Sequence, residues 1–184
     1  NWRLSGYTEH RISHLLSQWI DGNRAFVEGK SYSDIMALTA DYRADPFVLG
    51  VVGGEQAFSE TEFNRNRKTW QQLAPSVDPD TGLVIYVDNF EGVLSSLNVP
   101  VLALFGEKDS IVDWRSTRSL YEQTIGRNPN ASLRIMTFPD GNHNLHQSKT
   151  GGYYEMLEIL ENPRIIDGYY DMALHWLEAQ VLQQ

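Results

Sequence analysis

Val99-Pro100-Val101-Leu102-Ala103-Leu104-Phe105-Gly106-Glu107-Lys108-Asp109-Ser110 and, further on, Phe138-Pro139-Asp140-Gly141-Asn142-His143 decide the fold. Val99 to Phe105 is almost unbroken apolar sequence, the pattern of a parallel strand buried on both faces. Gly106 marks its end and a polar loop follows. A helix fits Trp114 to Ile125, with Asp113 as N-cap, Leu120, Tyr121, Thr124 and Ile125 inward, and Gly126 as the residue past its end. After the Asn128-Pro129-Asn130 turn, Leu133, Ile135 and Phe138 predict a second strand, closed by Pro139-Asp140-Gly141.

A strand–helix–strand crossover makes the two strands parallel and adjacent, roughly 4.8 Å apart, ending on the same edge of the sheet. Asp109 and His143 each follow a strand's carboxyl end, where open α/β sheets place their ligand crevices. Residues distant along the chain thus converge. A carboxylate beside an imidazole suits an Asp that orients a His serving as general base to a nucleophile.

Leu102 to Val112 resembles the acid-bearing strand and loop of the α/β-hydrolase family, and Pro139 to His143 resembles that family's histidine loop. The resemblance is best from Phe90 to the C-terminus and only general before that. It implies an α/β fold, the C-terminal part of a hydrolase core with few parallel strands flanked by helices, and it implies Asp109 as triad acid and His143 as triad base. It also implies a small-molecule ester or amide as substrate, with no cofactor. The family's nucleophile sits upstream in a G-x-S-x-G elbow. No serine here, from Ser5 to Ser148, has glycines two residues away on both sides. The expectation is therefore the later portion of a serine hydrolase, inactive alone, whose N-terminal half supplies the nucleophile.

Composition bounds the partners. The chain has 184 residues, 41% of them hydrophobic, enough for one respectable core. A net charge of −9 argues against nucleic acid or an anionic membrane surface, both of which reward basic patches. No run approaches a membrane span, and Asn1-Trp2-Arg3-Leu4-Ser5 resembles no signal peptide. Cysteine is absent, so disulfide and thiolate chemistry are too, and the compartment is undetermined.

Residues 1–88 read as a run of amphipathic helices. Thr8 caps the first, with Ile12, Leu15, Leu16, Trp19 and Ile20 at helical spacing. His10 and His14 lie four apart on it, a metal pair by spacing alone, but no glutamate stands between them in the zinc-protease manner and no third ligand is evident. Ser31 to Asp45 predicts a second helix, with Ile35, Met36 and Leu38 inward and Pro46 as its stop. Phe47 to Glu55 is either a strand ending in a glycine turn or a helix interrupted by Gly50. Gly53-Gly54 reads as a turn, with oxyanion-hole amides as the functional alternative.

Ser59-Glu60-Thr61-Glu62 is a capping box that opens a helix through Leu73, ended by Pro75, with Phe63 and Trp70 inward. Asn64, Arg65, Asn66, Arg67 and Lys68 form its solvated outer face. Val77 to Gly82 is a turn. A helix over Asn89–Leu97, with Phe90, Val93, Leu94 and Leu97 inward, leads into the strand at Val99. The hydrolase resemblance makes residues 1–88 the helical cap and 89–184 the core portion.

Past His143, His146 is a rival base lying further from the strand end. Asp113 and Glu107 are rival acids, the first accounted for as a helix cap and the second preceding the expected position. Taken alone, Asp109 also suits a turn residue satisfying loop amides. Tyr153 to Leu160 predicts a short helix. Ile166, Tyr169, Tyr170, Ala173, Trp176, Leu177 and Val181 predict a closing helix packed on the sheet. Only two or so strands of a larger parallel sheet are present, so the chain is expected to dimerise or aggregate through the open edge or its apolar sheet faces, a homodimer through that edge among the outcomes. A non-catalytic binding or assembly module on the same scaffold is the alternative function. Metal-assisted hydrolysis through His143, His146 and neighbouring carboxylates is a third.

Overall fold

The computed structural model describes residues 1–73, 76–78, 84–85 and 87–181. The fold is mixed α/β, mostly helical with a small two-stranded parallel sheet. The chain divides into two compact units. One holds Trp2 and Gly6–Asp88; the other holds Asn1, Arg3–Ser5 and Asn89–Gln184.

The first unit is helical. Helix α1 (Glu9–Val27) starts where the Thr8 hydroxyl accepts the Arg11 amide. Its Ile12 and Leu15 are buried, whereas Leu16 is exposed. The helix expected over Ser31–Asp45 is in fact α2 (Tyr32–Leu38) and α3 (Ala40–Arg43), broken at Thr39. Thr39 leaves helical geometry and turns its hydroxyl back onto the Ile35 carbonyl at 2.7 Å, a bond that competes with the helix's own ladder. Leu38, expected inward, is exposed. Gly22 of α1 packs where a Cβ would collide with Thr39 Cγ2, so the missing side chain sets how closely α1 approaches Thr39.

Pro46 opens a helix rather than only stopping one. Asp45 is the N-cap of α4 (Pro46–Val52), accepting the amides of Phe47 and Val48 with Pro46 at the first helical position. Asp45 is buried and also takes the Tyr7 hydroxyl and the Arg11 guanidinium. Phe47–Glu55 is thus helix up to Gly53, which adopts φ 85° and ends it in the left-handed conformation glycine tolerates. A one-turn 3₁₀ segment (Glu55–Phe58) leads to α5 (Glu60–Leu73), whose Glu62 amide donates to the Ser59 hydroxyl.

Arg67 is not on the solvated face of α5. Its guanidinium lies 4.8 Å from the Phe26 ring centroid and 4.7 Å from that of Phe63, and donates to the Phe26 and Lys30 carbonyls. The flat cation stacks on rings where a point charge would not. The short antiparallel pair β1 (Ser76–Val77) and β2 (Val84–Ile85) flanks the expected turn, most of which lies outside the described residues, as does Pro75.

In the second unit, Asn89 at φ 53° caps α6 (Phe90–Ser95). Leu94 is buried, but Phe90 and Val93, expected inward, are exposed. Strands β3 (Val101–Gly106) and β4 (Leu133–Phe138) pair in parallel, Val101 opposite Leu133 and Gly106 opposite Phe138. Of the run Val99–Phe105, expected to be buried on both faces, only Ala103 is buried; Gly106 at its end is buried too.

The crossover is α7 (Trp114–Gln123) followed by a 3₁₀ turn (Ile125–Arg127). Gly126 therefore sits inside that turn and is not the residue past the helix end. Trp114, Ile125 and Ala103 form the core, with Phe105 against Trp114 and Tyr121. The Asn128 side-chain amide donates to the carbonyls of Ser95 and Leu97, closing the end of α6. Helices α8 (Tyr153–Glu161) and α9 (Tyr169–Val181) follow. Ile166 is buried just ahead of α9, but Tyr170 and Leu177, expected to face the sheet, are exposed, as is Leu174.

Candidate active site

The sheet edge is where the two loops meet. Glycines let the chain segments approach: a Cβ on Gly106 would run into the carbonyl oxygens of Gly141 and Asn142. Backbone bonds then join the loops, the Glu107 amide to the Phe138 carbonyl and the Lys108 amide to the Gly141 carbonyl, both at 2.9 Å. The loop after β3 is thereby fixed to the loop after β4 before any side chain is considered.

Asp109 and His143 come together there. His143 Nδ1 lies 2.9 Å from Asp109 Oδ2. The other carboxylate oxygen of Asp109 accepts the amides of Ile111 and Val112, each at 2.9 Å. Three directed bonds therefore hold one carboxylate, and its side chain is 9% exposed against 38% for His143. With the imidazole in contact with water, this pairing would add little stability. Its value is orientational: with Nδ1–H donated to Asp109, the imidazole keeps Nε2 as its acceptor nitrogen.

The rivals are occupied elsewhere. Asp113 caps α7, accepting the Arg115 and Ser116 amides and the Ser116 hydroxyl at 2.6 Å. Those Ser116 bonds hold its carboxyl below the ordinary range. Glu107 accepts the Thr137 hydroxyl at 2.8 Å. His146 joins the loop through its backbone, exchanging bonds with Asn142 and bridging to Ile165, and its ring has no hydrogen bond among the described residues. In the helical unit, His14 Nε2 pairs with Asp41 Oδ2 at 2.8 Å on the surface. Among the described residues no group of three or more His, Cys, Asp or Glu is placed to hold a metal ion. Nor is any helix long and apolar enough to cross a membrane.

Several supporting residues carry no obvious signal in the sequence. Asn142 is 1% exposed, and its Oδ1 accepts the amides of Asn144 and His146, folding the loop around the position next to His143. The Asx-turn habit of asparagine is the one hint the sequence offers of it. Leu145 is held at φ 55°, a costly conformation for a side chain of this size, with its carbonyl accepting the Ile166 amide. Ser110 donates to the Gly151 carbonyl, and Gly151 at φ 72° has no room for a Cβ against the Lys108 carbonyl. Glu155 accepts the amides of Lys149, Thr150 and Gly151 and the Thr150 hydroxyl. The chain after His143 is thus tied back at both ends.

Comparison with protein-family models, with curated proteins and with solved structures finds no match to this chain.

Among the described residues no hydroxyl hydrogen-bonds to His143, whose ring is bound by Asp109 alone. The arrangement holds an oriented base with an open nitrogen. It can accept a proton from a nucleophile brought to it.

Proposed function

We propose that Asp109 and His143 are the acid and the base of a serine-hydrolase triad on an α/β-hydrolase core, acting on a small-molecule ester or amide. The bond of 2.9 Å between His143 Nδ1 and Asp109 Oδ2 carries this reading. Its support is the position of that pair, at the carboxyl ends of two adjacent parallel strands, with the acid fixed by loop amides and the base half open to solvent. The likeness of Leu102–Val112 and Pro139–His143 to the family's acid and histidine loops agrees with it.

In this mechanism a serine hydroxyl gives its proton to His143 Nε2 as the oxygen attacks the substrate carbonyl. Asp109 meanwhile stabilises the imidazolium, and His143 returns the proton to the leaving group. The nucleophile comes from outside these 184 residues, because none of their serines stands in an elbow. The helical unit takes the part of the cap.

A native polypeptide that carries this segment together with an elbow serine is expected to react with a fluorophosphonate probe and to cleave activated esters. His143→Ala is expected to lower that activity by about 10³-fold or more, the usual loss for a triad member. Unchanged turnover in that variant overturns the proposal.

A further inference from the structure

We infer that the helical unit contains a small-molecule site of its own, fitted to a monocarboxylate with an apolar arylalkyl or alkyl body. The inference does not rest on the Asp109–His143 pair and stands whether or not that pair is catalytic. Its basis is a cavity of about 660 Å³ lying wholly within the helical unit, inside the roughly 300–1,000 Å³ range typical of ligand sites.

The walls are built by helical periodicity. Trp19, Asn23 and Phe26 recur at helical spacing on α1, and Phe63, Asn66 and Trp70 do so on α5. The aromatic side is a set of edge-to-face rings, Phe26 standing 5.5 Å from both Phe63 and Trp70. Such rings are large, rigid and low in conformational cost, which favours a flat or extended apolar body over water.

Polar chemistry is sparse and of one sign. Among the described residues Arg43 is the one charged residue that lines the cavity. Its guanidinium donates to the Thr39 hydroxyl and the Met36 carbonyl, and among the described residues it meets no carboxylate. Two bonds leave donors of the five-donor fork uncommitted. Asn23 and Asn66 also line the cavity, and their side-chain amides have no hydrogen bond among the described residues. The Tyr42 phenol is kept neutral, since burial first and the Asp45 charge second push its ionisation up. A cation without a counter-ion, two amides and aromatic walls together select an apolar molecule with one anionic head.

Titration of the 184-residue chain with 4-phenylbutyrate, 4-phenylbutan-1-ol and 4-phenylbutylamine, followed by calorimetry, tests this. The acid is expected to bind about tenfold or more tightly than the alcohol, and the amine more weakly than either, since the carboxylate adds an ion pair with Arg43 that the neutral alcohol lacks and the amine brings a second cation. Arg43→Gln should bring the acid down to the alcohol's affinity while the alcohol is unchanged, and Arg43→Lys should restore part of the preference. Ala57→Trp, which fills the cavity from its wall, should remove binding of both. Should a variant unfold in a thermal melt, the three-ligand ranking on the unmodified chain still decides. An alcohol or amine that binds as tightly as the acid, or acid binding that survives Ala57→Trp, overturns the inference. So does the absence of heat at millimolar acid.

Discussion

Gly106 and Gly141 lie against each other where β3 and β4 end: a Cβ on Gly141 would stand 3.2 Å from the Gly106 Cα. This contact brings the two loops to one edge, and it depends above all on Gly106, where a Cβ would meet backbone; at Gly141 a Cβ would be merely tight. Gly106→Ala would push a methyl group into the carbonyls of Gly141 and Asn142, which are backbone and cannot swing aside. A loss of roughly 3 kcal/mol is expected, at the upper end of overpacking costs, because the strand ends must separate. Urea unfolding of the variant against the parent chain checks it; a midpoint shift equivalent to less than about 1 kcal/mol would show that the loops are not held by this approach.

The parts of this site that could be read from the sequence are those that depend on local pattern. The apolar run into Gly106, the Asp113 cap and the crossover length were enough to put Asp109 and His143 on one edge. The readings of Asp109 as a turn residue and as a partner for His143 proved compatible, because a carboxylate has two oxygens and each takes one task. What the sequence did not carry was tertiary. Arg67 reads as surface charge by residue type, although it lies four residues from Phe63 and three from Trp70 on the inward side of α5; its other ring partner, Phe26, comes from α1, which no local pattern names. Phe90, Val93, Tyr170 and Leu177 have the spacing of inward faces, but periodicity states only that a face is apolar, not that anything covers it. Pro46 shows the limit of punctuation signals: the same residue ends one helix and begins the next.

Asp109→Asn separates the two tasks of that side chain. The asparagine oxygen can still accept the Ile111 and Val112 amides, so thermal stability should change by less than about 1 kcal/mol, the scale of a single hydrogen bond. Under the proposed mechanism the opposite holds for activity in a polypeptide that also carries the nucleophile. An amide facing His143 Nδ1 disfavours the tautomer that leaves Nε2 as acceptor, and kcat should fall by about 10⁴-fold, as when a triad aspartate becomes asparagine elsewhere. Asp109→Ala should cost both stability and activity. Equal turnover in Asp109→Asn and the parent would remove Asp109 from the mechanism.

The exposed apolar residues call for cover. Tyr170 is 68% exposed, and Leu174 and Leu177 are each above one half, all on α9, while each strand of the parallel sheet has one unpaired edge among the described residues. Clusters of this kind mark association surfaces. Self-association of the 184-residue chain is therefore expected in sedimentation velocity as a weight-average mass that rises with concentration. Leu174→Lys with Leu177→Lys should lower it without unfolding the chain, because both positions are already in water. A single monomeric boundary at several milligrams per millilitre would count against association through these surfaces.

Glu155 gives the loop after His143 a defined acid limit. Partial burial, the largest single influence, pushes its carboxyl up, but bonds from the Thr150 hydroxyl, the Lys149 and Thr150 amides and the Ser148 hydroxyl together outweigh it and hold it at about 2 instead of 4.5. A carboxyl with a lower ionisation point in the folded chain than in the unfolded one stabilises the fold fully above the unfolded value. That stabilisation fades as pH falls from about 4.5 through about 2. Glu155→Gln keeps the length of the side chain but not its charge. The stability difference between parent and variant should therefore be constant from pH 5 to pH 7 and shrink steadily below pH 4.5, which denaturant unfolding at fixed pH values can follow. Amide exchange at Thr150 and Gly151 should quicken in the variant at neutral pH, because these amides donate to the carboxylate. A difference that grows on acidification would mean that the carboxylate does not hold the loop.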